Sequence, residues 1–103
     1  MGWHEVPGAQ ALGEDEAMAA LLGERPIALV KSGGKFYALH NICTHQHALL
    51  SDGYVEDGCI ECPLHQGRFD LATGAPKAPP VTEPVRAYRV KSENGKVYVE
   101  LGD

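Results

Sequence analysis

The sequence predicts an all-β fold, and three observations carry that prediction. An Asn-Gly pair at 94–95 and a Gly-Gly pair at 33–34 each separate two strand-length runs, the commonest signals for a tight hairpin. The stretch between the two hairpins, residues 43–85, is rich in Gly and Pro and divides into short pieces. One segment pulls the other way: residues 14–22 (E-D-E-A-M-A-A-L-L) combine helix-forming residues, acidic residues at the start and a glycine after the end, as a helix would.

In chain order, residues 26–31 (P-I-A-L-V-K) and 35–40 (K-F-Y-A-L-H) flank Ser32-Gly33-Gly34 as the first hairpin. Short strands are expected at 53–56, 58–62 and 67–71, with turns at Asp57-Gly58 and Thr73-Gly74. Residues 75–80 (A-P-K-A-P-P) read as a stiff loop, because proline donates no ladder hydrogen bond and cannot sit in a central strand. Residues 86–91 and 96–101 flank Glu93-Asn94-Gly95 as the second hairpin. In its last strand Val97, Val99 and Leu101 share one face and Tyr98 and Glu100 the other, a period of two.

The chain has 103 residues, the size of one small domain, and shows neither repeats nor a linker. A core that small gains from a metal centre or another staple. The net charge of −5 disfavours nucleic acid and anionic membrane surfaces as partners. No apolar run approaches the roughly 18 residues needed to span a bilayer, and no secretory signal opens the chain. The N-terminus begins Met-Gly, but Val6 stands where a myristoylation signal needs Ser or Thr. The expected compartment is therefore the cytoplasm. Thiols stay reduced there, so three cysteines point to metal or redox chemistry rather than to disulfides.

All three cysteines and three of the five histidines fall in two stretches, C-T-H-Q-H at 43–47 and C-I-E-C-P-L-H at 59–65. The C-x-x-C of Cys59 and Cys62 does not suit a thioredoxin-like site. Such a motif opens a helix, whereas Pro63, Gly67 and a strand-like G-R-F-D-L follow here. In a strand, residues three apart point to opposite faces, so Cys59 reads as a small buried hydrophobe. Setting it aside leaves two half-sites, Cys43-x-His45 and Cys62-x-x-His65, separated by sixteen residues. Zinc accepts two cysteines with two histidines, but a zinc finger pairs Cys with Cys and His with His on a helix, and each loop here is mixed. A zinc-binding structural module remains a distant alternative.

C-T-H and C-P-L-H at this spacing, followed by G-R-F-D and a proline loop, resemble a Rieske protein from about Trp3 to Leu101. The resemblance implies a [2Fe–2S] cluster, with Cys43 and Cys62 on one iron and His45 and His65 on the other. It also implies an all-β Rieske fold: a sandwich or barrel-like antiparallel base (about 1–42 and 82–103) and a cluster-binding subdomain (about 43–81). That subdomain is built of two ligand loops covered by the proline loop at Ala78, Pro79 and Pro80. The family has a strand at 16–22, so strand is expected there against local propensity. Gln46, His47, Ala48, Leu64, Gln66, Gly67, Pro79 and Pro80 are expected around the cluster without ligating it. His4 and His40 read as ordinary structural histidines, and Asp70 as a turn-forming residue rather than a catalyst.

The ligand set matters for charge. Two ferric irons, two sulfides, two thiolates and two neutral imidazoles sum to zero, and the reduced form carries one negative charge. A four-thiolate cluster starts at two negative charges, so it accepts an electron less readily. Rieske potentials accordingly lie at roughly −150 to +300 mV, against about −400 mV for plant-type ferredoxins. Quinol-oxidising members of the family have a disulfide between their ligand loops, and Ser and Tyr hydroxyls that donate to the cluster sulfurs. Here Ala48 and Leu64 stand at the disulfide positions, and Gly67 and Phe69 at the hydroxyl positions. The expected potential is therefore in the low part of that range.

The resemblance is closest to the Rieske-type ferredoxins of multicomponent aromatic-ring dioxygenases. There a flavoprotein reductase draws electrons from NAD(P)H, and the ferredoxin carries them singly to a terminal Rieske non-haem iron oxygenase. The expected role is thus a monomeric electron carrier and not an enzyme. Asp52, Glu56, Asp57 and Glu61 lie between the ligand loops and are candidates for a docking rim facing basic patches on both partners. A Rieske-like small subunit of an assimilatory nitrite reductase is the alternative reading.

Overall fold

The computed structural model describes residues 2–43, 48–64, 67–79 and 81–101. Among them the chain forms ten strands: β1 (Trp3–Glu5), β2 (Glu16–Leu22), β3 (Arg25–Ser32), β4 (Lys35–His40), β5 (Tyr54–Glu56), β6 (Cys59–Glu61), β7 (Arg68–Asp70), β8 (Pro76–Ala78), β9 (Ala87–Glu93) and β10 (Lys96–Glu100). Two single 3-10 turns, Ala9–Ala11 and Leu50–Asp52, are the helical elements among these residues. The strands make a six-stranded antiparallel sheet, β1-β10-β9-β4-β3-β2, and a four-stranded antiparallel sheet, β5-β6-β7-β8.

Four hairpins turn on two residues, both at positive φ: Gly23-Glu24, Gly33-Gly34, Asp57-Gly58 and Asn94-Gly95. That backbone matches the right-handed twist of the strands it joins. The Gly33-Gly34 turn is also tied down from outside, since the Glu14 carboxylate accepts both glycine N–H groups. Glu24 is the costly member of the set, because a side chain with φ 71° crowds its own carbonyl.

Residues 16–22 are a strand, as the family resemblance implies. All seven pair with β3, from Glu16↔Lys31 to Leu22↔Arg25. The helix propensity is overridden because a strand here sends Met18, Ala20 and Leu22 into one core and Ala17 into another. The glycine that would have ended a helix instead begins the hairpin turn. Residues 75–80 depart from expectation: Pro76–Ala78 is a strand, pairing through Arg68↔Ala78 and Phe69↔Pro76. It lies at the sheet edge, where a missing N–H costs no ladder bond, so the proline argument excluded a central strand and not this one.

β3 separates two cores. Ile27 and Leu29 face one, with Val6, Leu12, Leu22, Val97, Val99 and Leu101. Ala28 and Val30 face the other, with Leu39, Leu50, Ile60, Phe69, Val81 and Val85. The second core bridges the two sheets and contains Cys43 and Cys62.

Candidate metal centre

The two cysteines are placed alike. Cys43 and Cys62 are buried, at 3% and 0% exposure. The Cys43 N–H donates to the Ala48 carbonyl (2.9 Å), and the Cys62 N–H donates to the Gly67 carbonyl (2.7 Å). Each cysteine thus starts a six-residue loop closed by the same backbone bond, although the two loops differ in sequence. His45, Gln46 and His47 in the first loop, His65 and Gln66 in the second, and Pro80 lie outside the described residues. Of the other residues expected near the cluster, Ala48 and Gly67 are buried, while Leu64 and Pro79 are exposed.

The first loop is held by a residue that the sequence reading missed. Asn41 is 2% exposed and is the buried polar residue among those described. Its N–H donates to Pro26 (2.9 Å) and its carbonyl accepts from Leu50 (2.7 Å). Its side chain accepts the Ser51 N–H (2.8 Å) and donates to the Ser51 hydroxyl (3.0 Å). These four bonds join β3, the start of the loop that contains Cys43, and the turn beyond it. The available signal was an amide two residues before Cys43, between His40 and Ile42, at the end of a largely apolar strand where a buried polar group requires partners.

The second loop sits in the four-stranded sheet. Cys62 follows β6, and Phe69 in β7 pairs with Ile60. Cys59 is half-buried rather than buried, because it faces away from the core that takes Ile60. Partial burial, and then the nearby Asp70 carboxylate, push its thiol pKa up. Asp70 is the turn residue expected: Oδ2 accepts from Ala72 N–H (3.1 Å), Thr73 N–H (2.9 Å) and the Thr73 hydroxyl (3.0 Å). Partial burial alone would raise the Asp70 pKa, but these bonds and Lys77 outweigh it and lower it.

His4 lies within β1 and His40 ends β4. Burial lowers the His40 pKa. Among the described residues no three His, Cys, Asp or Glu side chains gather in a metal-binding group. The four acidic candidates are not equivalent. Arg68 pairs with Glu61 (3.3 Å) and with Glu56 (3.7 Å), so two of them are already partly neutralised within the sheet. Asp52 and Asp57 are exposed, with no ion pair among the described residues. No helix among the described residues is long and apolar enough to cross a membrane.

Two buried thiols share one core, each opening a loop of equal span, and a cysteine thiolate is a metal ligand by its chemistry. The chain belongs to the Rieske [2Fe-2S] domain family, whose model matches residues 2–89. It is 50% identical over 100 residues to the anthranilate 1,2-dioxygenase ferredoxin subunit of Burkholderia cepacia, covering 97% of this chain and 93% of that one. The ferredoxin of carbazole 1,9a-dioxygenase from Nocardioides aromaticivorans IC177 superposes with a TM-score of 0.91 at 36% identity, covering 96% of this chain and 97% of the other. The ferredoxin in a complex of reduced oxygenase and oxidised ferredoxin of carbazole 1,9a-dioxygenase has a TM-score of 0.87 at 36% identity, with 94% and 91% covered. These relatives are electron-transfer components and not the catalytic subunits of their systems. The chain is accordingly a Rieske-type ferredoxin and not itself an enzyme.

Proposed function

We propose that this protein is a one-electron carrier. It takes electrons from an NAD(P)H-dependent flavoprotein reductase and delivers them to the terminal oxygenase of an aromatic-ring dioxygenase, in the cytoplasm and as a monomer. The observation that carries the reading is the matched pair of buried thiols, Cys43 and Cys62, each at the mouth of a loop closed by its own N–H. A relative's ferredoxin has been seen in complex with its oxygenase, which supports the acceptor side. The donor side rests on the multicomponent systems that the resemblance implies.

One [2Fe–2S] cluster fits these residues. Cys43 and Cys62 hold one iron and His45 and His65 the other. That assignment follows from the resemblance of C-T-H and C-P-L-H to the family's ligand motifs, since a Rieske centre needs two imidazoles; His4 and His40 belong to β1 and β4 of the six-stranded sheet. When bound, the cluster supplies a centre that gains and loses one electron. The protein's own residues set its surroundings. Ala48, Leu64, Gly67 and Pro79, together with Gln46, His47, Gln66 and Pro80, would surround the cluster without ligating it. Phe69 is fully buried and offers no hydroxyl to a cluster sulfur, which favours a low potential. Residues 43–81 form the cluster-binding subdomain, and 1–42 with 82–103 the base. Asp52 and Asp57, with Glu56 and Glu61, supply the rim that steers basic partners.

The test is the reduction potential of the anaerobically purified protein, with its visible spectrum in the same cell. A brown protein with a single one-electron wave in the low part of the Rieske range is expected. A potential above about +100 mV overturns the low-potential carrier, and a colourless, redox-silent protein reconstituted with iron and sulfide overturns the cluster. Charge reversal at Asp52 and Asp57 lowers the oxygenase association rate and its salt dependence; unchanged low-salt kinetics reject the rim.

A further inference from the structure

Gly67 has a second role beyond closing the loop. A Cβ at this position would lie 2.6 Å from Val81 Cγ1, 3.1 Å from Cγ2 and 3.3 Å from Cβ. All three atoms belong to one side chain, and the space that a side chain at 67 would take is filled by Val81. Val81 is itself only 4% exposed and shares a core with Cys43 and Cys62. The chain leading to it is anchored on one side by β8 pairing with β7. Beyond it, the Val85 N–H donates to the Gly74 carbonyl (3.0 Å). Val81 is therefore where this strap returns to the loop that Cys62 opens.

We infer that Val81 is a positioning residue: seated in the side-chain vacancy of Gly67, it presses the strap onto the Cys62 loop and keeps water from the buried thiolates. This rests on the cluster reading above. The reduced centre carries one more negative charge than the oxidised one, so admission of water favours reduction and raises the potential. A closed Gly67–Val81 contact thus holds the potential low and slows loss of the cluster. It also means that a side chain at 67 cannot be accommodated unless residue 81 shrinks, so the two positions act as one unit.

The experiment compares four holoproteins: wild type, Gly67→Ala, Val81→Ala and the swap Gly67→Ala/Val81→Ala. The readouts are midpoint potential and the rate at which a chelator bleaches the visible absorption. Val81→Ala deletes two buried methyl groups, and bleaching is expected to accelerate on the order of tenfold, with the potential moving positive. Gly67→Ala displaces Val81 and moves both readouts the same way. The swap places a methyl group where the valine methyls were, so both readouts return at least halfway to wild type. Val97→Ala, at a buried valine of the core that lacks both cysteines, lowers the melting temperature without moving the potential.

Wild-type values for Val81→Ala, or effects that simply add in the swap, overturn the proposal. If Gly67→Ala does not fold, recovery of folded holoprotein in the swap supports it, and failure of the swap leaves Val81→Ala to decide. A wild-type protein with no cluster spectrum refutes the carrier reading alone. The packing claim is then judged by whether the swap restores the melting temperature lost in the single variants.

Discussion

Replacing Asn41 by alanine should loosen the loop that Cys43 opens. The side chain contributes two hydrogen bonds to Ser51, at 2.8 and 3.0 Å, in a site that is 2% exposed. Each bond is worth about 1 kcal/mol, and a Ser51 N–H left without an acceptor adds about 1 kcal/mol more. The sum, about 3 kcal/mol, corresponds to a fall of roughly 12 °C in the melting midpoint for a chain of this size. Ser51→Ala removes the hydroxyl bond alone and should cost about 1 kcal/mol. The double variant should then be less destabilised than the sum of the singles by about 1 kcal/mol, because the two share that bond. The assay is melting of the holoprotein followed by ellipticity and by visible absorption, at one scan rate, since cluster loss makes unfolding irreversible. The visible signal should fall earlier than wild type by at least as much as the ellipticity. A midpoint change below about 2 °C for Asn41→Ala would refute the claim that this amide holds the loop.

Three further outcomes are expected. Glu24→Asn relieves a strained turn residue at φ 71° and should stabilise by about 0.5–1 kcal/mol, seen as a melting midpoint a few degrees higher, whereas Glu24→Val should lower it. Asp70 has a folded pKa held down by the Thr73 and Ala72 donors, so its contribution is present above its unfolded value, about 3.9, and is lost as pH falls through the lower folded value; Asp70→Asn should flatten the acid limb of stability against pH, and an unchanged limb counts against these bonds. With Cys43 and Cys62 engaged as ligands, Cys59 is the thiol left to alkylate, and its raised pKa should shift the iodoacetamide rate profile to more alkaline pH than that of an unburied cysteine.

Much of this protein was readable without coordinates. Asn94-Gly95 and Gly33-Gly34 specified their hairpins because few residues tolerate positive φ twice in succession. The alternation of Val97, Val99 and Leu101 named a buried face because strand side chains point to opposite sides in turn. The C-x-H and C-x-x-H spacing pointed to the family to which the chain belongs, because thiolate and imidazole in two short loops suit few sites. Other features depended on neighbours distant in sequence. Residues 16–22 follow β3 rather than their own helix propensity, since seven ladder pairs and two cores outweigh a weak local preference. Pro76–Ala78 is a strand because it falls at an edge, and edge or centre is a property of the whole sheet. Asn41 is important through Ser51 and Pro26, ten and fifteen residues away. Gly67 is required small by Val81, fourteen residues further on. Local sequence determined which residues turn and which alternate; the tertiary structure decided which of them touch, because burial and close packing act between segments that chain order does not bring together.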